Sequence, residues 1–410
     1  MSAETEIRRR IKDRGAITFA EFMELALFWP GGGYYLTGDP IGSHGDYYTS
    51  PQVHPAFGAL LAVQLYQMWQ ILGRPDPFTV VEMGAGNGIL CRDLVTYSHS
   101  LPPGFEESLR YVCLDRRAVA GLETHLPKDA RTGGVSRLAA AGMPFRRIWG
   151  CLLSNEYLDS FPVHQVTMRD GKLQEILVTV RGEELTSCLS QPSDPELSGR
   201  FEELGIELAE GQTAELCLGL NSWAQDAADC LDAGFVLTVD YGHEAAELYS
   251  SERRHRGTLT TYYRHTQTDA PFERIGRQDM TAQVDFSTLV DAGRRAGLEP
   301  LGLITQGQFL YNLGLGSMTG RLGSMGLTQK ETQANRAGML DLVRVGGLGD
   351  FKVLVQGKGV GEPVLWGLTP SPEATDLVEG APVPRLTAEH LPWLEGRYPT
   401  GGVEWEDYPT

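Results

Sequence analysis

Positive charge is scarce in this chain of 410 residues, and long apolar runs and paired cysteines are missing altogether. Only 35 Lys and Arg face 53 acids, a formal net charge of −18. Binding to a phosphate-coated polymer depends on basic surface and counterion release, so no nucleic-acid partner is expected. An acidic exterior favours a basic or neutral partner instead. No apolar run reaches the roughly 18 to 20 residues of a membrane span, and the N-terminus alternates acids and bases where a signal peptide would carry an apolar core. These absences predict a soluble, intracellular, cytoplasmic protein with no membrane span. The six cysteines, Cys91, Cys113, Cys151, Cys188, Cys217 and Cys230, form no C-x-x-C pair and sit mostly in apolar context, which reads as buried free thiols. No His, Asp and Glu cluster has ligand spacing, so no metal is expected.

What the chain does have is Val80-Val81-Glu82-Met83-Gly84-Ala85-Gly86-Asn87-Gly88-Ile89-Leu90. This reads as a buried strand, a loop of alternating glycines and the first turn of a helix, the arrangement that cradles a nucleotide-like cofactor. Any Cβ there would obstruct both the tight turn and the ligand's approach. A dinucleotide fingerprint would place its third glycine at position 89, where Ile89 stands. Glu82 at the strand mouth would repel a pyrophosphate but suits a ligand carrying a sulfonium and an ammonium. S-adenosylmethionine is such a ligand.

Helical periodicity at Ile7 to Lys12 and Phe19 to Leu27 makes residues 1–56 an N-terminal helical cap with a following loop. Residues 57–160 carry a helix and then strands near Phe78–Met83, Arg110–Asp115 and Arg147–Leu153, the first half of a parallel sheet wound with helices. Alternating β-branched segments around Asp170-Gly171 signal a hairpin, so residues 161–212 read as an inserted β element. A helix is predicted over Thr213 to Leu231, then a buried strand at Phe235–Asp240. Strands near Leu298–Thr305 and Phe351–Gly357, with a helical excursion between them, complete a second half at 213–358. Residues 359–410, rich in Pro, Gly and acids and bearing Trp366, Trp393 and Trp405, suggest an extended arm or a disordered tail. The Trp-bearing arm makes a homodimer worth testing.

Several separated blocks carry a resemblance. They include Gly33-Tyr34-Tyr35, Gly45-Asp46-Tyr47-Tyr48-Thr49-Ser50-Pro51, the glycine loop, Asn155-Glu156-Tyr157-Leu158-Asp159, Asp240-Tyr241-Gly242, Gly257-Thr258-Leu259 with Tyr263 and His265, and Val284-Asp285-Phe286. In order and spacing, over roughly residues 15–358, the chain resembles the MidA-type S-adenosylmethionine-dependent methyltransferases. That family includes the mitochondrial arginine methyltransferase that assists assembly of respiratory complex I. The resemblance implies an α/β, class I methyltransferase fold, a Rossmann-like, seven-strand doubly wound sheet with inserted elements. The second strand departs from the family pattern, ending in Leu114-Asp115-Arg116 where a Glu followed two residues later by Ser is usual. Ala85 replaces a Pro, and Gln52 and His54 stand where Glu and Ser are usual.

Glu82, Gly84, Gly86, Gly88, Asp115 and Asn155 are the candidate cofactor contacts, with Asp115 able to accept hydrogen bonds from ribose hydroxyls. Methyl transfer is an in-line displacement, so the protein must aim the acceptor and exclude water. A guanidinium is a poor nucleophile with delocalised lone pairs; carboxylates paired with two of its nitrogens would turn the third toward the methyl group. Glu156 is the candidate orienting carboxylate, with Asp159 or Asp46 as a second anchor. Asp240, Tyr263, His265 and Asp285 are candidates for the acceptor wall. The resemblance implies as substrate an arginine of a protein partner, a respiratory-complex subunit. Two alternatives stay open: a small-molecule O- or N-methyltransferase, or an assembly chaperone that holds the cofactor as a structural ligand.

Overall fold

Segments apolar on both faces become the centre of a sheet covered on both sides. The computed structural model, which describes residues 1–37, 49–117, 134–264, 266–387 and 389–390, shows this. Seven strands build the main sheet: β1 (Phe78–Met83), β2 (Leu109–Asp115), β3 (Val135–Ala139), β4 (Ile148–Asn155), β5 (Leu231–Asp240), β6 (Glu299–Thr305) and β7 (Lys352–Lys358). Their order is β6-β7-β5-β4-β1-β2-β3. From β3 to β5 neighbours are parallel, whereas β7 runs antiparallel to both β5 and β6. The direction of winding reverses between β1 and β4, and a crevice for ligands opens at the C-terminal strand ends there.

Alternate side chains of each strand feed two cores. Val80, Tyr111, Cys113, Leu153, Phe235 and Leu237 point to one face, under α3 (Ala56–Ile71) and α4 (Ile89–Ser98). Val81, Val112, Leu152 and Val236 point to the other, under α6 (Gly219–Cys230) and α7 (Phe286–Ala296). Each fully buried Leu or Phe contributes roughly 1.5–3 kcal/mol. α3 is buried nearly all round, as its apolar sequence requires.

The cap helices are α1 (Ala3–Arg14) and α2 (Phe19–Phe28), each started by a side-chain cap, Ser2 and Thr18. Ile17-Thr18 between them pairs with Leu177-Val178 of the insertion. The inserted sheet holds His164–Arg169, Lys172–Arg181, Glu184–Ser190 and Thr213–Leu216, followed in chain order by other elements except that α5 (Pro195–Leu204) precedes the last strand. The Asp170-Gly171 turn has positive φ at both residues, and Glu210 accepts both amides, at 2.9 and 3.2 Å. The helix predicted from Thr213 instead begins at Gly219, because residues 213–216 pair with 164–167, a partner distant in sequence.

Between β6 and β7 lie α8 (Gln306–Asn312), α9 (Leu315–Arg321) and α10 (Gln329–Asp341). Residues 360–387, read from the sequence as an arm wrapping a surface or partner or as a disordered tail, return to the core. They carry α11 (Pro372–Gly380) and bury Leu365, Val378, Ala381 and Val383 in the core beneath α3. Gln67 and Gln64 of α3 bond the backbone of this return segment: Gln67 Nε2 donates to Val364 O at 2.9 Å, and Gln64 Oε1 accepts from Gly367 N at 2.8 Å. Trp393 and Trp405 lie outside the described residues. The six cysteines are unpaired, four of them buried and Cys188 and Cys217 partly so. Among the described residues no helix is long and apolar enough to cross a membrane, and no cluster of His, Cys, Asp or Glu is arranged to hold a metal ion.

Candidate active site

The glycine loop occupies the crevice predicted by the strand order. Gly84, Gly86 and Gly88 have φ of +67°, +53° and +78°, a region that L side chains rarely adopt. A Cβ at Gly84 would stand 2.6 Å from the Tyr157 ring. Gly84 N donates to Leu114 O at 2.9 Å, and Gly86 N donates to Asp115 Oδ2 at 3.0 Å, so the loop and the strand-end acid are set together. The adjoining cavity is lined by Glu82, Gly86, Asn87, Asn155 and Glu156, with Thr49 and Pro51 across it.

Glu82 is 4% exposed, and its Oε2 accepts from the Tyr111 hydroxyl at 2.9 Å. Burial pushes its carboxyl up to about 8. Glu156 follows Asn155 at the end of β4, with its backbone at φ +49°. Its amide donates to Val239 O at 2.9 Å, and its Oε1 accepts from Ser50 N at 3.2 Å and Asn155 Nδ2 at 3.1 Å. Burial, and next the charge of Asp159, raises Glu156 to about 8. Asp159 is itself raised to about 6 by burial, and its Oδ1 is buried without a hydrogen-bond partner.

Asp240 was expected to line the acceptor cleft, but it lies behind it. Fully buried, its Oδ2 accepts from the amides of Tyr157, Leu158 and Asp159 at 3.1, 2.9 and 3.4 Å, and its Oδ1 from Tyr241 N at 2.9 Å. It therefore fixes the turn that carries Glu156 and Asp159. No Lys or Arg among the described residues forms an ion pair with Glu82, Glu156, Asp159 or Asp240, although burial raises all four carboxyls.

The far wall differs from expectation. Tyr263 shares a strand with Tyr262, and successive residues of a strand face opposite ways. Tyr262 is the one whose hydroxyl is raised by burial and by Asp159, Asp279 and Glu156. Tyr263 instead stands beside the guanidinium groups of Arg274 and Arg264, at 4.8 and 5.4 Å. Asp285 is the N-cap of α7: its Oδ1 accepts from Thr288 N at 2.9 Å and its Oδ2 from the Tyr249 hydroxyl at 3.0 Å, beside a separate cavity. Asp46 and His265 lie outside the described residues. Tyr241, which the sequence reading did not single out, is likewise raised by burial and by the charge of Asp159, and its place just after a strand-end acid was the available signal. His54, a departure from the family pattern, is buried and held well below its usual range, at about 3, by desolvation; its Nδ1 accepts from Ala56 N at 3.0 Å.

These groups fit an adenosyl cofactor with an amino-acid end. The positive-φ loop leaves room for backbone approach, Asp115 is joined to that loop through Gly86 N, the Glu82 carboxyl lines the cavity, and Asn155 Oδ1 is buried and unpartnered.

Residues 60–304 match the family described as "Putative S-adenosyl-L-methionine-dependent methyltransferase". The mitochondrial protein arginine methyltransferase NDUFAF7 homolog of Drosophila melanogaster is 28% identical over 340 residues, 76% of this chain and 75% of its own. The corresponding Homo sapiens protein is 27% identical over 351 residues, covering 75% of this chain and 72% of its own. A solved superfamily member from Burkholderia thailandensis, bound to S-adenosyl-homocysteine, is 27% identical with a TM-score of 0.79, covering 89% of this chain and 94% of its own. The curated relatives are named as mitochondrial proteins, which overturns the cytoplasmic expectation. The sheet order, the glycine crevice and the match over 60–304 agree: this chain belongs to that S-adenosyl-L-methionine-dependent methyltransferase family and has a class I methyltransferase-like fold.

Proposed function

We propose that the protein transfers a methyl group to an arginine side chain of a protein partner. The carrying observation is the group of buried carboxylates at the strand ends, Glu156 and Asp159 with Asp240 behind them, to which no Lys or Arg of the described chain is paired. Buried charges are costly unless paired, so burial disfavours the ionised forms of these groups and a bound cation favours them. A guanidinium presents five N–H donors in a fixed fork and matches two carboxylates.

The cofactor supplies an electrophilic methyl on a sulfonium. Glu82 would hold its ammonium, and Asp115 its ribose hydroxyls. Glu156 Oε1 is anchored by Ser50 N and Asn155 Nδ2, which leaves its Oε2 for an acceptor N–H. Asp159 Oδ1 can accept a second N–H. As the N–C bond forms and the S–C bond breaks, the attacking nitrogen becomes more acidic and loses a proton. Asp159, raised to about 6, is the group within the cleft suited to take it. Tyr262 and Tyr241, both raised by burial and by the charge of Asp159, stand on the side of that carboxyl.

The names of the curated relatives support a protein arginine acceptor, and the family resemblance points to a subunit of a respiratory complex. Incubation with methyl-labelled S-adenosylmethionine and a mitochondrial extract, followed by peptide mass spectrometry, tests this reading. Label on an arginine is expected. Label confined to the low-mass fraction would replace it with a small-molecule acceptor, and no transfer despite cofactor binding would favour a chaperone.

A further inference from the structure

The helix α4 starts at the last glycine of the loop and is tied to it: Arg92 N donates to Gly88 O at 3.1 Å, while Ile89 and Leu90 line the cavity. The facing wall is the short helical turn Ser50–Val53, whose first amide bonds Glu156 and which ends at His54. Both walls are held by the same distant piece of chain. On α4, Asp93 Oδ2 accepts from His390 Nε2 at 2.8 Å, and Arg92 pairs with Asp93 at 2.7 Å and with Glu389 at 3.2 Å. At the turn, His54 Nε2 donates to Asn335 Oδ1 of α10 at 3.1 Å, and the same oxygen accepts from Leu386 N at 2.9 Å. A Cβ at Gly338 of α10 would stand 3.1 Å from Val53 O, so α10 lies directly on the turn. Thr387 N donates to His390 Nδ1 at 3.2 Å, and His390 N to Thr387 O at 3.2 Å, which folds the chain on itself between the two attachments.

His54, Arg92, Asp93, Asn335 and His390 are each at most 7% exposed. Anchoring the return segment does not require them. Val378, Ala381 and Val383 already bury it under α3, and a buried ion pair exchanged for apolar packing is often neutral or stabilising. What a fully bonded buried network adds is a single arrangement of the parts it joins. We propose that His390 and the Leu386 backbone are positioning residues for the cofactor: acting through Asp93, and through Asn335 and His54, they hold the glycine loop and the Ser50–Val53 turn at the separation that a bound adenosyl group needs. Loosening either attachment lets the walls part, which speeds release of the cofactor and of its demethylated product while every residue that touches them stays in place.

The test is release of tritiated S-adenosylhomocysteine from the full chain, chased with excess unlabelled compound, together with hydrogen exchange of the cofactor-free protein. His390→Ala should speed release by roughly 10-fold and raise exchange in residues 49–53 and 89–95. His390→Gln, which puts an N–H donor where Nε2 stands, should bring release back to within about threefold of wild type. Val383→Ala removes packing from the same segment but none of these hydrogen bonds; it should lower the melting temperature yet leave release within about twofold of wild type. The proposal is overturned if His390→Ala releases the ligand at the wild-type rate with unchanged exchange. It is also overturned if Val383→Ala speeds release as much as His390→Ala, since general loosening of the segment would then explain the effect. Release from His390→Gln as fast as from His390→Ala would overturn it as well, because the bond to Asp93 would not be what holds the wall.

Discussion

The Tyr111 hydroxyl donates to Glu82 Oε2 at 2.9 Å, so the carboxyl facing the cofactor crevice is fixed in place by a buried phenol. Burial raises that carboxyl from 4.5 to about 8. An incoming ammonium favours the ionised form, so binding releases a proton. Affinity for S-adenosylmethionine should climb as pH rises toward about 8 and level off above it, by no more than tenfold per pH unit. Titrations at a series of pH values would check this, with Glu82→Gln expected to flatten the rise. A constant or falling affinity would refute it.

The stability of the ligand-free protein should follow the opposite course. Glu82 and Glu156 have folded values raised to about 8 over an ordinary 4.5, so their protonated forms favour the fold. That contribution is complete below about 4.5 and disappears as pH rises through about 8. Melting temperature without cofactor should therefore drop between about pH 4.5 and about pH 8 and level off above, and saturating S-adenosylhomocysteine should reduce the drop. Scanning calorimetry at matched ionic strength decides the point.

Gly84→Ala places a Cβ 2.6 Å from a Tyr157 ring carbon at a φ of +67°. Backbone strain of this kind costs about 1–3 kcal/mol. Affinity for S-adenosylhomocysteine should fall more than about tenfold as the loop shifts, with the sheet intact by circular dichroism. Near-normal binding would show that the loop tolerates a side chain.

Glu156→Gln retains the shape of the side chain but removes the charge that orients the acceptor. Turnover should fall by about 10²- to 10³-fold while S-adenosylhomocysteine affinity stays within about twofold of wild type. Single-turnover methyl transfer separates the two quantities. Full activity would move the orienting role to another group.

Asp240→Ala strips the acceptor from four backbone amides at once. Loss of a buried, multiply bonded carboxyl costs about 3–5 kcal/mol, to be read from urea denaturation. Turnover should fall along with stability, because the turn bearing Glu156 and Asp159 loses its anchor. A loss below about 1 kcal/mol would mean that water replaces the carboxyl without consequence.

The pattern of apolar strands, glycine loop and helix was readable because each signal lies within a few neighbouring residues. The Asp170-Gly171 hairpin was readable for the same reason. Pairings across long separations were not: Ile17-Thr18 with Leu177-Val178, and Thr213–Leu216 with His164–Thr167, leave no local mark. The same limit applies to the candidate site. Glu82, Glu156 and Asp159 could be singled out in the sequence because strand ends at a switch point attract ligand chemistry. The parts of Asp240 and Asp285 were misjudged because a strand-end acid looks alike in sequence whether it faces a cleft or caps backbone amides. Tyr262 was passed over for its neighbour Tyr263 because strand phase is set by partners outside the segment.

The return of residues 360–383 to α3 has a consequence for biosynthesis. Leu365, Val378, Ala381 and Val383 close a seam along a helix that the ribosome made about 300 residues earlier. The nascent chain must carry that helix with one apolar flank uncovered until its final stretch emerges. A premature stop upstream of this stretch would yield a sticky remnant, a substrate for chaperones and proteases, even though every residue of the glycine crevice had already been translated.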